Sequence, residues 1–465
     1  MKNFSRRELL KLSGLMPLAY SIPAVKKIAP RIQNNQAPKQ NVLVIVFDTF
    51  SSMDMSLYGY PRLTTPNFNR IAEKAHVYHN HYASGPFTTP GTSGLLTGAY
   101  PWSTRAFKVD GGVIGKYEEN NLFSFFNQYH RVAYTHNSLV NSLLKDMDVH
   151  IDDFVDREDL YAIKDYVLGE LLEDDFDTGF FFLRQLYRDT DGYYNSLFLS
   201  DLLNKLDSKL ETKEELNKRF KQQFPLGVPG GEGGKFFLED GINYIKNKLI
   251  KYREPFMGYF HFYPPHGPYL TRHEFHNVFL RDSYKAIKKP KHFFTEKRTQ
   301  KSLIKGRRRY DEFILYVDAE MGRLYDYLET SGVLDNTWVV ITSDHAEMHE
   351  RGIFGHSSEA LLNTVLKIPL LILEPGQSTR NDVFANTSAV DVLPTLLKVT
   401  QQESPVDFFD GRVMPPFRDT PENNLGTVYS NHARLNGKND PISIASIAIM
   451  KEEYKLVKYF GYPQI

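Results

Sequence analysis

The chain has 465 residues, of which 41% are hydrophobic and 14% aromatic, so it can bury a large core and does not have the composition of a disordered protein. Its 56 basic and 56 acidic residues cancel, which argues against a polyanionic partner such as nucleic acid. Because cysteine is absent, disulfides and thiolate metal sites are excluded.

The N-terminus predicts export. The segment 5–11, Ser-Arg-Arg-Glu-Leu-Leu-Lys, is close to a twin-arginine signal, and a modestly apolar stretch follows it from Leu12 to Ala19. The alternative is an amphipathic N-terminal helix. No other stretch reaches the ~18 apolar residues that span a bilayer. We therefore predict a signal and linker over residues 1–37, no transmembrane span in the mature chain, and a periplasmic or cell-surface location.

Further along, apolar and β-branched runs predict strands that are buried on both faces. These runs are Asn41–Phe47, Phe256–Phe262, Trp338–Thr342 and Pro369–Leu373. Helical patterns lie between them, for instance from Tyr310 to Thr330. Alternating strands and helices predict an α/β fold with a mostly parallel sheet covered on both faces.

Polar residues follow the predicted strands directly. Asp48 ends the first, His266 lies just past the second, and Asp344 and His345 end the third. Ligands bind beyond the carboxyl ends of such strands, so we expect these four side chains to converge. Two carboxylates and an imidazole are suitable ligands for Mn²⁺, Mg²⁺, Ca²⁺ or Zn²⁺.

Several motifs occur in a fixed order from Asn41 to about Arg412. They are Asp48, Tyr58-Gly59-Tyr60, Thr64-Thr65-Pro66-Asn67, Thr88-Thr89-Pro90-Gly91-Thr92 with Leu95-Leu96-Thr97-Gly98, Pro265-His266-Gly267-Pro268, Ser343-Asp344-His345, Gly355-His356 and Asp391-Val392-Leu393-Pro394. Together they resemble the sulfatase family of the alkaline phosphatase superfamily. The resemblance implies an α/β/α sandwich with a small C-terminal antiparallel subdomain. It places the catalytic domain at residues 38–400, with an insertion at about 155–236, and the subdomain at 401–465.

The resemblance also shows what has changed in the nucleophile segment. Sulfatases carry Cys or Ser, oxidised to formylglycine, where this chain has Thr88, and Arg where it has Thr92. Oxidation of threonine would give a ketone, so no formylglycine is expected. We predict an unmodified Thr88 hydroxyl as nucleophile, with Thr89 as the alternative, or else a purely capping role for Thr88. Thr88 is expected at the N-cap of a helix, where N–H groups face the anionic substrate.

The expected metal ligands are Asp48, Thr88, Asp344 and His345, around one divalent ion that activates the hydroxyl. The family's second Asp is replaced here by Thr49. Two-metal members of the superfamily carry an Asp on the loop 263–266, which this chain lacks, so a single ion is predicted.

The remaining site predictions also come from the resemblance. His266 and His356 match the histidines that bind the ester oxygens and protonate the leaving group. His136 falls near a site lysine of the family and Thr92 stands at the arginine position, so both are predicted to contact substrate; a structural role for His136 is the alternative. His349 is expected to be exposed. The basic segment 285–309, with Glu296 its only acid, is either a solvated face or a rim that attracts an anionic lipid or polymer.

These observations predict an exported, metal-dependent sulfatase-like hydrolase or transferase acting through a covalent Thr88 intermediate. Phosphate monoesters or diesters are expected first and sulfate esters second, as anionic lipid, glycan or small-molecule substrates. The alternatives are a sulfuric ester hydrolase that works without formylglycine, and a catalytically degenerate anion-binding protein of the cell envelope.

Overall fold

The computed structural model describes residues 40–109, 111–164, 213–231, 234–249, 251–252, 255–295, 298–403, 408–419 and 426–462. The predicted signal and linker, and residues 165–212 of the predicted insertion, lie outside the described residues. Residues 38–465 cluster as one unit.

The strands of the described residues are β1 (Asn41–Phe47), β2 (His76–Tyr82), β3 (His130–Thr135), β4 (Asp153–Phe154), β5 (Tyr161–Lys164), β6 (Gly230–Gly231), β7 (Gly234–Phe236), β8 (Phe256–Phe262), β9 (Thr337–Ser343), β10 (Met348–Glu350), β11 (Ile353–Gly355), β12 (Leu370–Leu373), β13 (Asn381–Ser388), β14 (Thr427–His432), β15 (Ala445–Lys451) and β16 (Tyr454–Phe460). The helices are α1 (Pro66–Ala72), α2 (Thr88–Thr97), α3 (Pro101–Thr104), α4 (Gly115–Glu119), α5 (Leu122–Phe125), α6 (Ser138–Lys145), α7 (Lys213–Arg219), α8 (Leu238–Leu249), α9 (Gln300–Thr330), α10 (Asn363–Leu366) and α11 (Val392–Val399).

The central sheet has eight strands in the order β13-β2-β12-β9-β1-β8-β3-β4. β1 lies between β8 and β9 and is parallel to both. β12 pairs antiparallel with β9 and β2, and the other strand pairs of this sheet are parallel. The prediction of a mostly parallel sheet is confirmed, with β12 as a reversed strand that the apolar run alone could not orient.

Both faces of the sheet are covered by helices. Successive side chains of a strand point to opposite faces, and in β1 the odd positions Leu43, Ile45 and Phe47 enter one apolar core while Val42 and its even-numbered partners enter the other. Helices α1, α8 and α9 pack into the first core, and α2, α6 and α11 into the second. This is the predicted α/β/α sandwich.

The helix predicted from Tyr310 begins ten residues earlier, at Gln300. Thr299 caps it, its hydroxyl accepting a hydrogen bond from the Ser302 N–H at 3.2 Å. The first turns of α9 are largely polar and partly exposed, so apolar spacing detects only the part that packs on the sheet.

The C-terminal residues form the predicted small antiparallel sheet, in the order β14-β15-β16. Among the described residues, no helix is both long enough and apolar enough to cross a membrane.

Candidate active site

The register of β1 against β9 places Asp48 and Asp344 side by side. Phe47, the last residue of β1, pairs with Ser343, the last residue of β9, so Asp48 and Asp344 leave the sheet at the same level. The Ser343 hydroxyl donates to the Phe47 carbonyl at 2.6 Å and accepts the Phe50 N–H at 2.9 Å. These bonds hold the two strand-end loops together. Asp48 and Asp344 therefore converge at the carboxyl edge of the sheet, as predicted.

Thr88 reaches the same point at the beginning of α2. Phe87 is the N-cap and Thr88 the first helical residue, so the expected N-cap position of Thr88 is wrong by one residue. Gly91 makes the approach possible, because a Cβ built there would lie 2.3 Å from the Asp344 carbonyl oxygen. Thr89 faces elsewhere: its hydroxyl donates to the Val109 carbonyl at 2.7 Å. Of the two threonines, the geometry therefore favours Thr88.

The predicted ligands come together. Ligand atoms of Asp48, Asp344 and His345 all lie within 4.8 Å of one another, and the three residues are buried. His345 Nε2 lies 3.4 Å from Asp48 Oδ1, 3.6 Å from Asp344 Oδ2 and 3.3 Å from Thr88 Oγ1. This arrangement could hold a metal ion.

The chemistry of these atoms fits a cation. The His345 Nδ1–H donates to the Ala346 carbonyl at 3.1 Å, which leaves the Nε2 lone pair toward the acids. Within the described residues, Asp48 Oδ1 and Asp344 Oδ2 have no hydrogen-bond partner. Two orphaned carboxylate oxygens and an imidazole lone pair form a set of acceptors that a divalent ion would satisfy.

Burial and mutual repulsion shift the acidity of the group. Burial, and then the neighbouring Asp344 carboxylate, raises the pKa of Asp48 well above its usual range. Burial also raises the pKa of Asp344, to about 6. Burial lowers the pKa of His345 well below its usual value, so its ring is neutral and able to act as a ligand at neutral pH. Like charges held together in a dry site are what a bound cation would stabilise.

The two predicted catalytic histidines flank this group. The ring centres of His266 and His356 are 4.9 Å apart, and His356 lies 4.6 Å from the His345 ring. The His266 Nδ1–H donates to the Gly267 carbonyl at 2.7 Å, so Nε2 is the ring atom left to exchange a proton. Burial, and then His356, lowers the pKa of His266 to about 3. His356 Nδ1 lies 3.3 Å from Glu347 Oε1.

The structure buries both predicted substrate contacts. His136 stacks on Phe236, with ring centres 4.0 Å apart, and its two ring nitrogens have no hydrogen-bond partner within the described residues. Thr92 lies one helical turn after Thr88, and within the same part of the chain its hydroxyl also lacks a partner. Contact of either residue with substrate stays a prediction.

The expectation that His349 is exposed is wrong. Only 4% of its surface is accessible, and its Nε2 lies 3.2 Å from the Tyr269 hydroxyl. The residue belongs to the short strand β10, which folds back as a hairpin with β11 instead of extending into solvent.

The sulfatase family profile matches residues 40–402 of this chain. The chain belongs to the sulfatase family. A multifunctional alkaline phosphatase superfamily protein, PehA of Trinickia caryophylli, is 24% identical over 421 residues, covering 82% of this chain and 77% of that protein. The choline-sulfatase of Rhizobium meliloti is 22% identical, covering 77% and 67%.

Solved structures share the fold of this sulfatase-family protein. The phosphonate monoester hydrolase of Agrobacterium radiobacter superposes with a TM-score of 0.64 at 18% identity, covering 91% of this chain and 88% of that one. The solved structure confirms the fold, and the family match over residues 40–402 makes the chain a sulfatase-like hydrolase of the alkaline phosphatase superfamily.

Three further residues lie in this candidate site, and the sequence analysis predicts no role for any of them. The Asn137 amide donates to Asp48 Oδ2 at 2.6 Å, while its own oxygen caps α6. His261 Nε2 lies 3.8 Å from Asp344 Oδ2, and Glu347 contacts His356. Asn137 is predictable from the sequence, because it is a polar residue just past β3. His261 is harder to predict as a site residue, because it lies inside the apolar strand β8.

Proposed function

We propose that this chain is an exported, metal-dependent sulfatase-like hydrolase or transferase in which the Thr88 hydroxyl is the nucleophile. The observation that carries the proposal is the position of Thr88 Oγ1, 3.3 Å from His345 Nε2 at the two orphaned carboxylate oxygens. Export in folded form rests on the paired residues Arg6 and Arg7.

Asp48, Asp344 and His345, with Thr88 Oγ1, would hold one divalent ion of the Mn²⁺, Mg²⁺, Ca²⁺ or Zn²⁺ class. Such an ion lowers the pKa of a hydroxyl and neutralises charge on the ester oxygens. The chain's part is to keep both carboxylates together, to present the His345 lone pair and to exclude bulk water from the buried group.

In the reaction, Thr88 Oγ1 forms a bond to the phosphorus or sulfur while the bond from that atom to the leaving oxygen breaks. The threonine hydroxyl loses one proton and the leaving group gains one. His266 and His356 are the candidate proton carriers: an anion beside His266 would favour its protonated form, which is otherwise scarce at neutral pH. Water or a sugar hydroxyl then attacks the phosphorus or sulfur. The bond from that atom to Thr88 Oγ1 breaks, and the threonine hydroxyl is regenerated.

An alcohol nucleophile is better suited to phosphate than to sulfate esters, because family sulfatases use the hydrate of an aldehyde and threonine cannot form one. Phosphate diesters or monoesters are therefore the first substrate class and sulfate esters the second. Hydrolysis of sulfate esters without formylglycine and anion binding without turnover are the rival functions. The family match supports the former, and the substitutions at Thr88 and Thr92 support the latter.

The test is turnover of aryl phosphodiesters, phosphomonoesters and sulfates with each of the four ions, followed by acid quenching and peptide mass spectrometry. We expect a phosphorylated peptide containing Thr88, retained turnover in Thr88→Ser, and a loss of roughly 10³-fold or more in Thr88→Ala. Thr89→Ala is the matched control and should keep its turnover.

Sulfate release faster than phosphate release would reverse the order of substrates. Stoichiometric metal binding without turnover of any ester would establish the anion-binding function instead. Modification of Thr89 in place of Thr88 would refute the assignment of the nucleophile.

A further inference from the structure

One exposed face carries both lysines and large apolar side chains. Its basic part is Lys285, Lys288, Lys301 and Lys305, and its apolar part is Leu63, Val278, Leu280, Ile287 and Ile304. A cleft lies between residues 284–286 and the first turns of α9. It is lined by Arg62, Tyr284, Lys285, Ala286, Ile304 and Arg307. We propose that this face, called here the basic apolar face, binds the surface of an anionic phospholipid bilayer.

The apolar side chains are unusually open to solvent. Ile287 is 79% exposed, Leu63 61% and Leu280 53%. Ile304 lines the cleft, and Leu63 and Ile287 follow directly on residues that line it. Isolated exposed hydrophobic residues are ordinary, but several of them close to one cleft indicate an interaction surface. Burial in the acyl boundary of a bilayer would remove this apolar area from water.

The charges of the face are concentrated and available. Among the described residues, no ion pair involves Lys285, Lys288, Lys301 or Lys305. The segment 285–309 contains a single acid, Glu296, although the chain as a whole is neutral. Clustered basic residues are attracted to anionic lipid headgroups, and each contributes to binding near the surface.

Buried contacts hold the apolar residues outward. The Arg62 guanidinium lies 5.1 Å from the Phe279 ring centre and 4.4 Å from that of Tyr284. It also pairs with Asp282 at 2.6 Å and with Asp311 of α9 at 2.7 Å. Val278 and Leu280 flank the buried Phe279, so this anchor keeps them at the surface instead of in a core.

The face lies at the same edge of the sheet as the active site. β8 ends at the carboxyl edge and β9 begins at the opposite edge, so α9, which connects them, begins on the side of the site. Tyr310 of α9 confirms this, since its hydroxyl donates to the Thr49 carbonyl and accepts the Ser51 N–H. Docking would therefore bring the site's edge of the molecule to the membrane.

A bilayer explains the face better than a soluble polyanion does. An anionic polymer would be bound by the lysines and would leave Ile287, Leu63 and Leu280 in water. A bilayer surface satisfies both parts at once. Binding is also independent of catalysis, so it can be measured on Thr88→Ala as well as on the wild type.

The experiment is co-sedimentation of the full chain with phosphatidylglycerol–phosphatidylcholine vesicles and with pure phosphatidylcholine vesicles. The variants are Lys301→Glu with Lys305→Glu, and Ile287→Ser with Ile304→Ser, which leaves the charge unchanged. Leu435→Ser with Leu456→Ser is the matched control, because both leucines are 64% exposed outside the face. Circular dichroism melts confirm that each variant folds.

We expect binding to the anionic vesicles only, weakened by salt and reduced about tenfold or more by each of the two test pairs. The control pair should bind like the wild type. Equal binding to neutral vesicles, or no binding to anionic ones, would refute the proposal. Loss with the lysine pair but not with the isoleucine pair, together with binding to heparin, would identify a soluble polyanion as the partner instead.

Discussion

Two clusters of buried charge follow β1 a few residues apart, and their charge balance differs. The active-site cluster brings Asp48 and Asp344 together with the neutral His345. The second cluster pairs Asp54 with Arg307 and Asp311 with Arg62. In the second, the cations belong to the chain itself; in the first, the negative charge is left for something else to neutralise.

This is the difference we expect between a structural cluster and a functional one. A buried carboxylate that has an arginine partner is compensated in part, although burial still raises the pKa of Asp54, and that of Asp311 to about 7. A pair of carboxylates without an arginine has no such compensation until a cation or protons arrive. A protein keeps such a pair where chemistry needs it. The comparison predicts opposite effects when the two clusters are mutated.

The largest expected effect is on stability, at the second cluster. Arg307→Ala leaves Asp54 buried without its cation and should lower the free energy of unfolding by about 3–5 kcal/mol, measured by urea denaturation. Arg70→Ala is the control, because its ion pair with Asp326 is exposed on both sides; its loss should be below about 1 kcal/mol. Equal losses in the two variants would show that Asp54 is not held by Arg307.

At the active-site cluster we expect a substitution to raise the free energy of unfolding. In chelator at pH 8, Asp344→Asn should be more stable than the wild type by about 2–3 kcal/mol, since the pKa of Asp344 is raised to about 6 from 3.8. Above pH 6 the folded wild type holds the unfavourable charge. As the pH falls from 6 to 3.8, the folded state takes up the proton first and the cost disappears.

The stability difference between Asp344→Asn and the wild type should thus shrink toward zero below about pH 4, where Asp344 is protonated and, like the asparagine, carries no charge toward Asp48 and His261. Saturating metal should stabilise the wild type and not the variant. A variant less stable than the wild type in chelator at pH 8 would contradict the assignment of uncompensated charge.

A smaller effect is expected where α2 meets Asp344. Gly91→Ala places a Cβ 2.3 Å from the Asp344 carbonyl oxygen, so the helix or the loop must shift, at about 1–3 kcal/mol. Displacement of Thr88 should also lower kcat/KM by roughly 100-fold. Gly115→Ala is the control, since its nearest neighbour is 3.9 Å away. Unchanged kcat/KM in Gly91→Ala would show that this close approach does not position the nucleophile.

The smallest effect concerns the hydrogen bond that orients Asp48. Asn137→Ser keeps an N-cap for α6 but removes the donor to Asp48 Oδ2, and should weaken metal binding about 10- to 100-fold by calorimetry. Asn121→Ser, at the cap of α5, is the control and should leave metal affinity unchanged. Equal affinity in both variants would remove Asn137 from the site.

Much of the site could be predicted, because strand-end residues of a parallel sheet converge. Asp48 and Asp344 are brought together by the register Phe47 with Ser343, which follows once the two apolar runs are identified as neighbouring strands. The failures are local. The sequence does not show that residues 348–355 form a hairpin, so it predicts an exposed His349. It predicts Thr88 as the N-cap of α2, whereas Phe87 occupies that position without a side-chain hydrogen bond to the helix.

Residue identity and order are enough to predict the alternation of strands and helices and the family, because both are patterns within the chain. The tertiary contacts show that Thr88 rather than Thr89 lies beside His345, and that Asn137 and His261 join the acids. Among the described residues, these contacts give Asp54 an arginine partner and give Asp48 none. The reason is that charge compensation and hydrogen-bond direction depend on contacts between residues hundreds of positions apart, which no local pattern records.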